Sequence, residues 1–281
     1  MIKQQSFKNE KPTLFLVATP IGNLNEMTPR AIETLKTVDI IAAEDTRNAR
    51  KLCSHFEINT KMISHHMHNE QESTKGIIDL LESGMNIGLV SDAGYPLISD
   101  PGQTLVRDVI AAGYNVVPIS GSSAFLNALV ASGLIVQPFA FMGFMEHKEG
   151  QLKKQLIQHK DLPMTTIYYL SVHKLEKTLE IVYDVLGNRK ICLVREITKM
   201  HEEFIRGTVT EVMESVETIK GEFVIVIEAN TEVSEVSFDD LIIRIKEQIN
   251  AGNSVSRSIS SVAKENGVSK NELYSYYHEN K

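Results

Sequence analysis

Three short segments carry the residue types that let a backbone approach a ligand closely: Ala18-Thr19-Pro20-Ile21-Gly22-Asn23, Ser91-Asp92-Ala93-Gly94-Tyr95-Pro96 and Ser120-Gly121-Ser122-Ser123-Ala124. Glycine lacks the Cβ that would hold a flat polar molecule away from main-chain N–H and C=O groups. None of the three reads G-x-G-x-x-G or G-x-x-x-x-G-K-[ST], so neither a dinucleotide fingerprint nor a P-loop is supported. Taken singly, each segment is also ordinary turn chemistry. Charge gathers in two further places, Glu44-Asp45-Thr46-Arg47 and a run holding Arg195, Glu196, Lys199, His201, Glu202 and Glu203. Arg47 and Arg195 have the planar fork that grips phosphate, whereas Glu202-Glu203 equally reads as a solvated acidic pair. His65, His66 and His68 fit no compact zinc spacing and no cysteine stands nearby, so no metal site is expected.

The elements that must position these groups alternate. Apolar runs at Thr13–Ala18, Val38–Ala43, Ile87–Val90 and Asn115–Ile119 read as buried strands. Helical stretches separate them: Met27–Leu35 with Thr28 as N-cap and Pro29 in the first turn, a second running towards His55, then Gln103–Ala112 and Ala124–Ala131. Asn69 is placed to N-cap a further helix, and Gly121-Ser122-Ser123 to cap the one at Ala124. Such βαβ units predict a parallel sheet, which binds ligands at the carboxyl ends of its strands. The three polar segments stand at those ends.

The second half predicts strands at Thr165–Leu170, Lys190–Arg195, Phe204–Gly207 and Glu222–Glu228 with a helix at His173–Leu186, linked too briefly for parallel crossovers throughout. A mixed sheet follows. Gly133, Pro138 and Gly143 interrupt the pattern between the halves. Helices are expected at Phe238–Asn250, Val255–Glu265 and Lys270–Tyr277, the last two joined by a Gly267-Val268-Ser269 turn like a helix-turn-helix. In that reading Lys270, Tyr274 and Tyr277 are available for nucleic-acid contact; the alternative is a small packing module. The expected domains are 12–133, 134–233 and 234–281.

The chain has 281 residues, enough for two α/β domains and an appendage, and 42% hydrophobic residues argue against global disorder. Two cysteines, Cys53 and Cys192, are expected to be buried thiols in a reducing compartment. The polar opening MIKQQSFKNEK shows no signal peptide and no apolar run is long enough to span a bilayer, so a soluble cytoplasmic protein without membrane contact is expected. A net charge of −7 argues against a generic nucleic-acid binder but leaves room for a basic cleft.

The segment from Leu14 to Arg47 (LFLVATPIGNLNEMTPRAIETLKTVDIIAAEDTR), with His68-Asn69-Glu70, SDAGYPLISDPG at Ser91–Gly102, REITKMHEEFIRGT at Arg195–Thr208 and Lys220-Gly221-Glu222-Phe223-Val224, closely resembles the ribosomal RNA small subunit methyltransferase I family. The resemblance implies an α/β, two-domain tetrapyrrole-methylase-like fold: a parallel βαβ N-terminal domain, a mixed-sheet second domain and a small helical C-terminal module. It implies S-adenosylmethionine as cofactor, bordered by Pro20, Ser91, Asp92, Ala93, Ser123, Ala124, Leu170 and Ile197. It implies 2′-O-ribose methylation of a cytidine in the decoding region of 16S rRNA in the small ribosomal subunit, by a homodimer. A ribose hydroxyl is a poor nucleophile, so a base or an electrostatic aid is expected; Asp45, Arg47, Lys199 and Glu202 are the chosen candidates, with Glu44, Arg195, Glu196 and His201 beside them.

The chain departs from the family pattern at Tyr169-Leu170-Ser171-Val172-His173-Lys174, at Glu146-His147 and at Ser120-Gly121-Ser122. Replacing Arg by Lys or His removes fork geometry that could hold a phosphate. Two other readings are a tetrapyrrole C-methyltransferase, and a ribosome- or RNA-binding module that keeps the fold without turnover.

Overall fold

A computed structural model describes residues 2–6, 8–216, 220–230, 238–266 and 268–279. The chain divides into two compact units, residues 1–229 and 230–281. The expected boundary at 234 and the Gly267 turn lie outside the described residues.

The first unit opens with β1 (Thr13–Val17), a 3-10 turn at Leu24–Glu26, α1 (Pro29–Thr37), β2 (Ile40–Ala43), α2 (Thr46–His55), β3 (Lys61–Ser64), α3 (Glu70–Glu82), β4 (Ile87–Val90), α4 (Gln103–Ala111), β5 (Asn115–Ile119) and α5 (Ala124–Ala131). The strands form a sheet of order β3-β2-β4-β1-β5, parallel throughout. The wholly buried runs of β2 and β4 need cover on both faces. Leu35 of α1 and Cys53 of α2 supply it on one face, Leu81 of α3 and Val109 of α4 on the other. Burying a leucine such as Leu35 contributes roughly 1.5–3 kcal/mol. The crossover after β1 therefore leaves on one face and the crossover after β4 on the opposite face. Their carboxyl ends open a crevice between diverging chains, where such sheets bind ligands.

The unit continues with β6 (Phe139–Phe144), α6 (Glu149–His159), β7 (Thr165–Leu170), a 3-10 turn at Val172–Lys174, α7 (Leu175–Leu186), β8 (Lys190–Arg195), β9 (Glu203–Thr208), α8 (Val209–Ser215) and β10 (Phe223–Ile227). These strands pair in the order β6-β7-β10-β8-β9, parallel between β6 and β7 and antiparallel elsewhere, a mixed sheet. Helices α6, α7 and α8 cover one face, and α5 covers the other through Ala128 and Leu129 against Ile167, Cys192 and Val226. Arg206 of β9 fastens the contact, its Nη2 donating to the Ala131 carbonyl at the end of α5 at 2.8 Å. One helix thus sets the second sheet against the crevice of the first.

Two expectations need correction here. Gly143 does not end a segment: at φ +75° it sits at the register shift of β6, a bulge between Phe141 and Phe144. The second-half helix begins at Leu175 rather than His173, because Val172–Lys174 is wound as a tighter 3-10 turn.

The second unit holds α9 (Phe238–Asn250), α10 (Val255–Glu265) and α11 (Lys270–Glu279) around Leu241, Ile245, Ile259, Val262 and Leu273. Tyr277 also lies in this core, 6% exposed, so it is not available for the nucleic-acid contact expected of it. Tyr274 remains exposed.

Candidate active site

The three polar segments meet at the carboxyl ends of β1, β4 and β5. Thr19 and Gly94 exchange backbone hydrogen bonds at 2.9 and 3.1 Å. Gly121 lies so near Ala18 that an added Cβ would stand 2.8 Å from the Ala18 Cβ, and its N–H donates to the Tyr95 hydroxyl at 3.1 Å. The Ser122 hydroxyl donates to Glu26 at 2.7 Å. These ties stand in for the expected capping at the third segment: Ser123 occupies the N-cap position of α5, yet its side chain makes no cap hydrogen bond. Asn69 similarly occupies the N-cap of α3 without capping it. Its side-chain oxygen accepts from the His66 N–H at 2.8 Å instead, bracing the loop after β3.

Two hollows adjoin here. The first, about 330 Å³, lies between the sheets and has Ala93, Ser123, Ala124, Leu170 and Ile197 in its wall, with Ile21, Phe144, Tyr169, Val194 and Val224 adding apolar surface and Asp100 and Glu222 adding carboxyls. The second, about 400 Å³, is bordered by Pro20, Ser91, Asp92 and Lys199 together with Asn48 and Leu52. Ile21, Ala93 and Glu222 border both. The eight residues expected around a cofactor are therefore split five and three, with Ala93 at the partition.

The four residues expected to act in chemistry are not gathered in one place. Lys199 borders the second hollow; Asp45, Arg47 and Glu202 are in neither wall. Asp45 is the N-cap of α2, accepting from the Arg47 N–H at 2.8 Å and from the Arg47 guanidinium at 2.7 and 3.1 Å. Those bonds hold its carboxyl down at about 2. The outer side of the Arg47 guanidinium faces solvent, the side chain being 84% exposed. Glu202 accepts from the Thr198 N–H at 2.6 Å and so closes the loop 198–202.

The Lys199 stem crosses over Gly22, where an added Cβ would stand 2.5 Å from its Cγ. Its Nζ sits between Glu196 at 3.0 Å and Glu222 at 2.9 Å. Burial works against its charge, but the two carboxylates raise its pKa overall. Arg195 donates to the Lys220 carbonyl at 2.9 Å and pairs with Glu203 at 3.3 Å.

The carboxyls at the ends of β2 and β4 are held differently. Burial, then the Asp92 charge, raises Glu44. Burial, then Glu44, pushes Asp100 up to about 6. Asp92 accepts from Asn48 at 2.9 Å, a neutral donor. Burial lowers His65, whose Nδ1 lies 2.8 Å from the Ser73 hydroxyl. No group of three or more His, Cys, Asp or Glu side chains that could hold a metal occurs among the described residues. Both cysteines are buried, and burial pushes Cys192 up to about 11.

Asp100, Phe144, Tyr169 and Asn48 were not expected in the walls. Asp100 has a signal in the sequence, since it stands in the same Ser91–Gly102 segment. Tyr169 has one as well, standing directly before Leu170 in the Tyr169–Lys174 segment. Phe144 has none, because it reaches the cavity only through the pairing of β6 with β7.

The family model for Tetrapyrrole (Corrin/Porphyrin) Methylases matches residues 13–213. The chain is 45% identical, over 98% of both chains, to "Ribosomal RNA small subunit methyltransferase I" of Bacillus subtilis, and 44% identical to the protein of that name from Halalkalibacterium halodurans, over 99% of this chain and 100% of that one. This chain belongs to the ribosomal RNA small subunit methyltransferase I family of tetrapyrrole methylases. Solved structures agree on the fold of this family member. A uroporphyrin-III-C-methyltransferase from Thermus thermophilus superposes with a TM-score of 0.54 at 16% identity, covering 78% of this chain and 94% of that one. A diphthine synthase superposes with a TM-score of 0.61 at 11% identity, covering 77% and 90%. No helix among the family member's described residues is long and apolar enough to cross a membrane.

Proposed function

We propose that this chain transfers the methyl group of S-adenosylmethionine to the 2′-hydroxyl of a cytidine ribose in the decoding region of 16S rRNA, acting on the small ribosomal subunit in the cytoplasm. The near-full-length kinship with the Bacillus subtilis small-subunit rRNA methyltransferase carries this reading. The cofactor supplies an electrophilic methyl carbon on a sulfonium. The residues present suit such a group: an apolar wall for a flat ring, and nearby three carboxyls, Glu44, Asp92 and Asp100, without a Lys or Arg ion pair among the described residues, Glu44 being raised by burial and then the Asp92 charge, and Asp100 by burial and then the Glu44 charge. A cation relieves that crowding.

In this reading Ala93, Ser123, Ala124, Leu170 and Ile197 enclose the cofactor's ring, while Pro20, Ser91 and Asp92 hold its charged end. Lys199, its charge fixed by two carboxylates, borders the hollow that would take the cofactor's charged end. Arg47 turns the free side of its fork to an RNA phosphate and Asp45 orients that fork. Glu202 keeps the Lys199 loop in place. Positioning of this kind supplies much of the acceleration of an in-line displacement. A homodimer belongs to the same proposal, with exposed Val130 and Ile135 supplying apolar surface for a second copy.

The test is to incubate the protein with S-adenosylmethionine and small ribosomal subunits, then hydrolyse the 16S rRNA in alkali. A methylated 2′-oxygen cannot attack its own phosphate, so one cytidine in the decoding region should resist cleavage. Methylation confined to a base, or none at all, would overturn the proposal.

A further inference from the structure

The cavity geometry points to Asp100 as the catalytic base that takes the proton of the acceptor hydroxyl. This rests on the methyl transfer proposed above. Among the described residues, the wall of the first cavity carries two carboxyls, Asp100 and Glu222, and no histidine. Glu222 is tied to Lys199 at 2.9 Å. Asp100 takes part in no ion pair among the described residues. Of the wall's phenols, burial raises Tyr169 and so keeps it a proton donor, and the Tyr95 oxygen is occupied in accepting from the Gly121 N–H. Outside the wall, Asp45 is occupied by Arg47 and Glu202 by the Thr198 N–H.

The groups facing Asp100 come from three strands. Glu44 follows β2 and Asp92 follows β4, both raising it, and Tyr169 of β7 feels its charge. His66 in turn faces Glu44. Burial and two like charges hold the carboxyl near 6, so that it is ionised at neutral pH yet a stronger base than a solvated aspartate. The electrons balance without another reactant. A lone pair of the hydroxyl oxygen forms the new O–C bond. The C–S bond breaks with its pair remaining on sulfur, which becomes a neutral thioether. The hydroxyl proton passes to the Asp100 carboxylate, so one positive and one negative charge are consumed together.

The experiment has three arms on the full chain. Carboxyl NMR of protein labelled at aspartate should show one resonance titrating near 6 that is missing in Asp100→Asn. Single-turnover methylation of small ribosomal subunits by the unmodified protein should rise with pH and level off above the point at which the Asp100 resonance titrates in the cofactor-bound protein. Asp100→Asn should lose roughly 10²–10⁴-fold in that rate while S-adenosylhomocysteine, measured by calorimetry, binds within about threefold of the original affinity, and Asp100→Glu should recover part of the rate. A rate in the unmodified protein that does not follow the Asp100 titration of the cofactor-bound protein would overturn the assignment without recourse to any variant. So would an Asp100→Asn rate within tenfold of the original, or joint loss of rate and S-adenosylhomocysteine binding, which would make Asp100 a cofactor contact. If the unmodified protein transfers no methyl group at all, the proposed reaction itself is wrong and the base role goes with it.

Discussion

The two halves of the cleft treat their carboxylates in opposite ways. On the second sheet Glu196 and Glu222 flank Lys199, Glu203 pairs with Arg195, and Glu202 accepts a backbone N–H, so each acid has a local partner. At the carboxyl ends of β2 and β4 the acids face one another: Glu44, Asp92 and Asp100 crowd together, with Asn48 and the Ser91 hydroxyl as neutral neighbours. A self-satisfied network fixes shape, whereas an unneutralised one stores an electrostatic cost that a bound cation removes. In the proposed reading the second sheet is the rigid wall, and the first the side that would meet the cofactor's cation.

The largest effect should come from filling the partition between the hollows. Ala93→Phe is expected to weaken S-adenosylmethionine binding roughly a hundredfold, or about 2.7 kcal/mol; calorimetry returning the original affinity would remove the cofactor from this side of the cleft. Next is the rigid wall. Gly22→Ala places a Cβ against the Lys199 stem at φ +146°, and should cost about 1–3 kcal/mol in urea unfolding. In a Lys199→Ala background the steric part should vanish, and full additivity of the two changes would show that the stem does not rest there.

Stability against pH separates the two kinds of carboxyl. Asp100 is raised in the folded state, so its contribution is favourable below the unfolded value of about 3.9 and is lost as pH rises through about 6. Asp100→Asn should therefore raise Tm by a few degrees at pH 8 and not at pH 4. Equal shifts at both pH values would contradict the crowding. Asp45 has the opposite sign: its pKa is depressed to about 2, so its contribution is present above about 3.9 and fades as pH falls through 2. Because the pair with Arg47 is exposed, Asp45→Asn should move Tm at pH 7 by about a degree at most.

The parallel sheet was legible because β1, β2, β4 and β5 are apolar runs of four or five residues, each followed by a polar turn. β3 was not, since Lys61-Met62-Ile63-Ser64 is only half buried at the sheet edge and carries no clean alternation. β6 was hidden by Pro138 and Gly143, breakers that here begin a strand and bulge it. Of the candidate site, the three polar segments could be read from their glycines, whereas the Asp45–Arg47 ion pair was not, because Arg47 read as a fork for phosphate and Asp45 as a separate candidate for chemistry. The division into two hollows could not, because Ile21 and Ala93 separate them only once β1 and β4 lie side by side. Nor could the state of Asp100, which depends on acids that stand 8 and 56 positions earlier in the chain and meet it only in the folded sheet.

Carboxyl NMR titration of the whole protein, with and without saturating S-adenosylmethionine, tests the contrast between the two sides most directly. The account predicts that the titrations of Glu44 and Asp100 move to lower pH when the cation is bound while that of Glu196 stays where it was. Unchanged Glu44 and Asp100 titrations on saturation would contradict it.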